Sequence, residues 1–177
     1  MNENVLGTAQ ARVLQCLARE SGNELYEGEI VQNTGLSRSA VNIAARELHR
    51  LGLLKLTKKG RMNFYRAPPE FPLIQQFKLL DTLLTLTPLL EELKLIARRV
   101  VLFGSSARGD NTPESDLDLF VIAPDREAVG AILAKYDLPW QVKPIIVSPQ
   151  EFAEFKGTEA AFYGQIQQGL TLWEPNL

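Results

Sequence analysis

The passage VVLFGSSARGDNTPESDLDLFVI, residues 100–122, constrains this chain more than any other stretch. Val100-Val101-Leu102-Phe103 is a short apolar run of the buried-strand type. It stops at Gly104-Ser105, and ten residues separate Ser105 from Asp116. Asp116-Leu117-Asp118-Leu119-Phe120-Val121-Ile122 then reads as a second strand. Side chains alternate along a strand, so Asp116 and Asp118 point to one side, and Leu117 and Leu119 to the other, toward a core. Two carboxylates side by side repel each other. A divalent cation removes that conflict, because Mg²⁺ takes carboxylate and phosphate oxygens, and two such ions can clamp an in-line displacement. The turn supplies the complement. Gly104 has no Cβ and lets backbone approach a phosphate, while the Ser105 hydroxyl and the amides opening the next helix can bond it. Arg108 adds charge, or braces the loop against a carboxylate.

This combination of apolar run, Gly-Ser, ten residues and Asp-apolar-Asp-apolar resembles the nucleotidyltransferase superfamily that includes DNA polymerase beta, in particular its minimal members. The resemblance covers residues 98–148 and extends less clearly to the end. It implies a mixed β-sheet with helices, Mg²⁺ as cofactor, and a nucleoside triphosphate whose monophosphate passes to a hydroxyl. It implies that Gly104 and Ser105, with Arg108, hold the triphosphate, and that Asp116 and Asp118 are the metal-binding, catalytic pair. Active members carry a third carboxylate on a later strand. Here that strand is Trp140–Val147, without Asp or Glu, and Lys143 stands about where the acid is expected. Asp137 and Glu151 flank it and could serve only if their loops bent inward. Losing one metal ligand and base costs on the order of 10²–10⁴ in rate, so the residues support nucleotide binding better than turnover.

The amino-terminal part has a different character. Residues 1–68 hold ten Lys/Arg and six Asp/Glu, a net +4, whereas residues 69–177 hold nine and fifteen, a net −6. Thr8 is placed to cap a helix reaching about Ser21, a short helix covers Gly28–Thr34, and Gly35-Leu36-Ser37 makes a tight turn. A third helix is expected over Arg38–Leu51, with Val41, Ala45 and Leu48 inward and Ser39, Asn42, Arg46 and Arg50 outward. Strand-like segments Leu53–Thr57 and Met62–Ala67 flank the basic tip Lys58-Lys59-Gly60-Arg61. Three helices and a hairpin resemble the winged helix-turn-helix domain over residues 5–67. The resemblance implies double-stranded DNA as partner, with Ser37, Arg38, Ser39, Asn42, Arg46, Arg50, Lys58, Lys59 and Arg61 at the interface. A net +4 supports few phosphate contacts, so a homodimer is expected. A solvated helical domain, or a winged domain used for protein contacts, is the alternative. His49 reads as a surface residue or phosphate contact, not a metal ligand.

The expected architecture is α+β: a winged helix-turn-helix at 1–68, a helical connector at 69–97, and a nucleotidyltransferase-like domain at 98–177. Within the connector, Pro88 predicts two helices, and its leucines predict either domain packing or a dimer interface. Phe152, Phe155, Phe162, Tyr163 and Trp173 read as packing residues or, alternatively, as a base-stacking platform. The single Cys16 reads as a core residue and excludes an internal disulfide framework. No secretory leader and no membrane span are expected, which suits the cytoplasm. The leading expectation is a DNA-binding regulator whose second domain binds Mg-nucleotide. The alternative is a working nucleotidyltransferase acting on a protein, RNA or small molecule.

Overall fold

The computed structural model describes residues 6–158 and 160–175, with the side chains of residues 155–161 outside the description. The fold is α+β, and the chain divides into two compact units between Lys78 and Leu79.

In the first unit, α1 (Ala9–Arg19), α2 (Glu27–Thr34) and α3 (Arg38–Arg50) precede a hairpin of β2 (Lys55–Lys59) and β3 (Met62–Arg66). Thr8 caps α1 through the Ala11 amide, and Ser37 caps α3 through the Ala40 amide, each bond worth about 1 kcal/mol. Gly35 ends α2 in the left-handed conformation at φ 64°, where a side chain would be strained. Val41, Ala44, Ala45 and Leu48 of α3 join Val13, Leu14 and Leu17 of α1 in one core, completed by Leu54, Tyr65 and Ile74. The helical spacing of the apolar residues thus selects the buried face. The hairpin differs in detail from expectation. β2 starts two residues later and runs to the tip, because Lys59 pairs with Met62 across Gly60-Arg61. Gly60 takes φ 61° there, as a two-residue hairpin loop requires. A two-residue strand, β1 (Leu25–Tyr26), also pairs antiparallel with β3.

Helix α4 runs unbroken from Pro72 to Leu93 with Pro88 inside it, which corrects the expected break. A buried seam holds the helix through the proline: Leu86, Leu89 and Leu93 are all fully buried. Thr87 donates its hydroxyl to the Leu83 carbonyl at 2.9 Å, and the Tyr136 hydroxyl donates to the Pro88 carbonyl at 3.0 Å.

The second unit is a four-stranded mixed sheet in the order β6-β5-β4-β7. β4 is Arg99–Phe103, β5 Leu117–Ile122, β6 Val142–Val147 and β7 Leu170–Trp173. β4 lies antiparallel to both β5 and β7, and β5 parallel to β6. The sheet has a core on each face. Val100, Leu102, Leu117, Leu119 and Val121 face α4 and α6 (Arg126–Leu133). Val101, Phe103, Phe120 and Ile122 face Ile166 of α8 (Ala160–Gln167) and Phe152 of α7 (Pro149–Thr158). The short helix α5 (Gly104–Arg108) follows β4 directly. The aromatic residues pack: Phe120 meets Phe152 at 5.7 Å and Phe162 at 6.3 Å between ring centroids. Trp173 donates its indole N–H to the Ala97 carbonyl at 3.3 Å. Phe155, expected among them, has its side chain outside the described part. No described helix is long and apolar enough to cross a membrane.

Candidate nucleotide site and nucleic-acid face

The ends of three strands bring the motif residues together. Phe103, the last residue of β4, pairs with Asp118 of β5, and Asp118 pairs in turn with Lys143 of β6. Gly104 opens α5 at φ 70°. A Cβ there would collide with an Asp118 carboxylate oxygen and lie 3.2 Å from the carboxylate carbon. The backbone angle itself favours glycine, and the Asp118 carboxylate lies where a Cβ would go. The motif assigns Gly104 to phosphate approach; its contact with Asp118 is a further reason that spacing alone does not disclose.

Asp116 and Asp118 do face the same region, and the neighbourhood is half-buried. Burial, then the charge of Asp116, push the Asp118 carboxyl above its usual range, against the opposing pull of Lys143. Lys143 reaches Asp116 with its ammonium 2.5 Å from a carboxylate oxygen. That bond and the two carboxylates raise the lysine, so it stays charged. Lys143 thus sets a cation beside Asp116. Glu151 does not replace the missing acid. It accepts the Ser148 amide at 2.7 Å at the start of α7 and pairs with Arg126. Those bonds pull its carboxyl down to about 2. Asp137 is exposed on the connection before β6. Among the described residues no cluster of three or more His, Cys, Asp or Glu could hold a metal. Arg108 is braced as one of its two anticipated roles requires, with Nε 3.0 Å from Asp110. Ser105 lies in the first turn of α5, and its carbonyl accepts the Gly109 amide.

In the first unit, the polar face of α3 and the hairpin tip divide into two sets. Arg38, Arg46, Arg50, Lys58 and Arg61 are exposed and make no ion pair among the described residues. The others are engaged within the unit. Asn42 donates to Glu27 at 2.8 Å, and Asn63 donates to the same oxygen at 3.1 Å. Lys59 donates to Glu24 at 2.6 Å and lies 4.5 Å from the centre of the Phe64 ring. Ser37 spends its hydroxyl on the α3 cap and lies 3.1 Å from the Ser39 hydroxyl. His49 bonds the Leu54 carbonyl at 2.8 Å through Nδ1, tying the end of α3 to the hairpin. Sequence reasoning misses the roles of Glu24 and Glu27, since partners 15 to 36 residues away leave no periodic signal.

Residues 86–167 match the family model of the nucleotidyltransferase domain. Two solved structures also resemble the chain. Reduced HlyU from Vibrio cholerae N16961 is 32% identical over 42% of this chain and 80% of its own, with a TM-score of 0.37. TrmBL2, an archaeal chromatin protein described with a novel mode of DNA binding, is 16% identical over 88% of this chain and 71% of its own, with a TM-score of 0.33. At these TM-scores neither likeness carries weight for function. No curated protein sequence matches the chain.

Nucleotidyltransferase domains imply a triphosphate and a divalent metal. The donors on this sheet edge fit one such ion and not a two-metal clamp. Asp116 and Asp118 are hard oxygen ligands of the kind Mg²⁺ prefers, with phosphate and water completing its shell. The strand that would carry the next carboxylate presents an ammonium instead.

Proposed function

We propose that this protein is a DNA-binding regulator of winged helix-turn-helix type whose nucleotidyltransferase domain binds a Mg-nucleotide with little or no transfer. One observation carries the nucleotide half: the Asp118 carboxylate occupies the space a Gly104 side chain would fill, with Asp116 beside it and Lys143 bonded to Asp116. When bound, Mg²⁺ would be held by Asp116 and Asp118 and would neutralise triphosphate oxygens. Gly104 and Ser105 bring backbone amides and a hydroxyl to the phosphates, and Arg108 adds a positive charge at the same turn. Lys143, its side chain 59% exposed, is free to exchange Asp116 for a phosphate oxygen. A lysine that stays protonated cannot accept the proton of an attacking hydroxyl, so the site favours binding over turnover.

The DNA half rests on the five cations of α3 and the hairpin tip that make no ion pair among the described residues, which sit beside groups already satisfied internally. Phosphates are their natural partners. Asn42 and Lys59 serve mainly to fix the helix and the hairpin through Glu27 and Glu24. Five cations per chain bind duplex weakly, and a homodimer on two half-sites doubles that number.

Incubation with radiolabelled ATP, Mg²⁺ and cell extract tests the limit on turnover. Label transfer is expected to stay at background. Transfer that disappears with Asp118→Ala would overturn the proposal in favour of an active nucleotidyltransferase.

A further inference from the structure

The sheet order places four features in a row along one edge. Lys143 stands on β6, Asp118 on β5, the Gly104 turn after β4, and Gly169 immediately before β7. Charged groups that suit phosphate and metal occupy the β6–β5 end. At the β7 end a pocket of about 310 Å³ opens beside the same turn, and its lining includes Phe103, Gly104, Arg108, Gln165, Gln168 and Gly169. That volume lies at the lower end of the range for small-molecule sites, about 300–1,000 Å³. Its chemistry differs from that of the acidic end. Phe103 gives an apolar wall, and Gln165 and Gln168 give two side-chain amides, each both donor and acceptor.

The local structure places these two side chains. Gln165 lies in the last turn of α8 and Gln168 just after it, three residues on, which sets the two toward one face. The Gln168 backbone amide bonds the Gly164 carbonyl at 3.1 Å, so the last turn continues through it. Gly169 lets α8 turn into β7 against β4, since a Cβ there would lie 2.7 Å from the Leu102 carbonyl oxygen. Ile166, between the two glutamines, is fully buried with Phe120 and Val101. Asp118 lies two residues before Phe120 on the same strand and so faces the same side of the sheet as α8.

The geometry points to this pocket as the nucleoside end of the site, holding an adenine base whose edge is read by the Gln165 and Gln168 amides. A glutamine amide matches the paired donor and acceptor of adenine. The nucleoside would lie on the β7 side of the Gly104 turn, and the triphosphate would run across that turn toward Asp118 and Lys143. The inference rests on the nucleotide reading above and names which nucleotide and which residues select it.

Equilibrium dialysis with Mg²⁺ and labelled ATP, GTP, CTP and UTP tests it, with inorganic tripolyphosphate as competitor. Wild-type protein is expected to prefer ATP, and Gln165→Ala and Gln168→Ala to lose roughly tenfold for ATP. Tripolyphosphate should compete equally well in all three proteins, which also shows that the variants are folded. ATP preference unchanged in both variants, or a wild-type preference for another base or none, would overturn the base pocket and leave the nucleotide reading standing. Failure of every nucleotide and of tripolyphosphate to bind folded wild-type protein would overturn both.

Discussion

Gly104 and Asp118 form a pair in which each explains the other. The glycine's φ of 70° costs a side-chain-bearing residue about 1–2 kcal/mol, and a Cβ would collide with the carboxylate. Gly104→Ala is therefore expected to lower the unfolding free energy by about 1–2 kcal/mol, measured by urea denaturation. A variant of unchanged stability would show that the turn is not fitted around Asp118. Glu151 offers a prediction of opposite character, far from the site in role. Its carboxyl is pulled from the usual 4.5 to about 2 by the Ser148 amide first, then by Arg126 and the Ser148 hydroxyl. A depressed folded-state value stabilises the protein above about pH 4.5, and that contribution is lost as pH falls through the interval down to about 2. Glu151→Gln should flatten the fall in melting temperature over that interval. The same acid slope in the variant would contradict the assignment. Of these residues, the motif Gly104, Ser105, Asp116 and Asp118 is legible from spacing alone. So is Lys143, because register along a strand counts residues. The bond from Lys143 to Asp116 is not, since a flexible side chain's partner is chosen in three dimensions.

At the scale of elements, α1 and α3 are legible because each has a one-sided apolar stripe and a side-chain cap. Two elements are not. β1 has only two residues, Leu25 and Tyr26, and exists through pairing with Tyr65 and Phe64. α4 continues through Pro88 with Leu86, Leu89 and Leu93 fully buried around it. Local propensity gives way to tertiary packing in both cases. The helix-and-hairpin face carries its own prediction. Arg46→Ala should weaken duplex binding, either about equally for all sequences or with a preference at one base pair. The slope of log affinity against log salt should fall by about 0.9 if Arg46 meets a phosphate, and specificity should relax at one position if it meets a base. Titration of labelled duplex at several salt concentrations distinguishes these. Binding unaffected in slope, strength and specificity would remove Arg46 from the interface.

Across the whole molecule, an amino-terminal part of net +4 precedes a second unit in which residues 86–167 match the nucleotidyltransferase domain model and Gly104, Asp118 and Lys143 share one sheet edge. If both proposed ligands bind, any coupling between them is reciprocal, each altering the affinity for the other by the same factor. The division of charge between the two parts, +4 and −6, is legible in the residue counts alone. The proposal of two phosphate-seeking surfaces on one chain follows from it only when the acidic part is read as a cation site. Isothermal titration of the wild-type protein and Asp118→Asn with ATP and Mg²⁺ tests that central claim most directly. Saturable, Mg²⁺-dependent binding in the wild type, lost or weakened at least tenfold in a folded Asp118→Asn variant, is the predicted result. Binding of equal strength in both proteins, or none in the wild type with any nucleoside triphosphate, would contradict it.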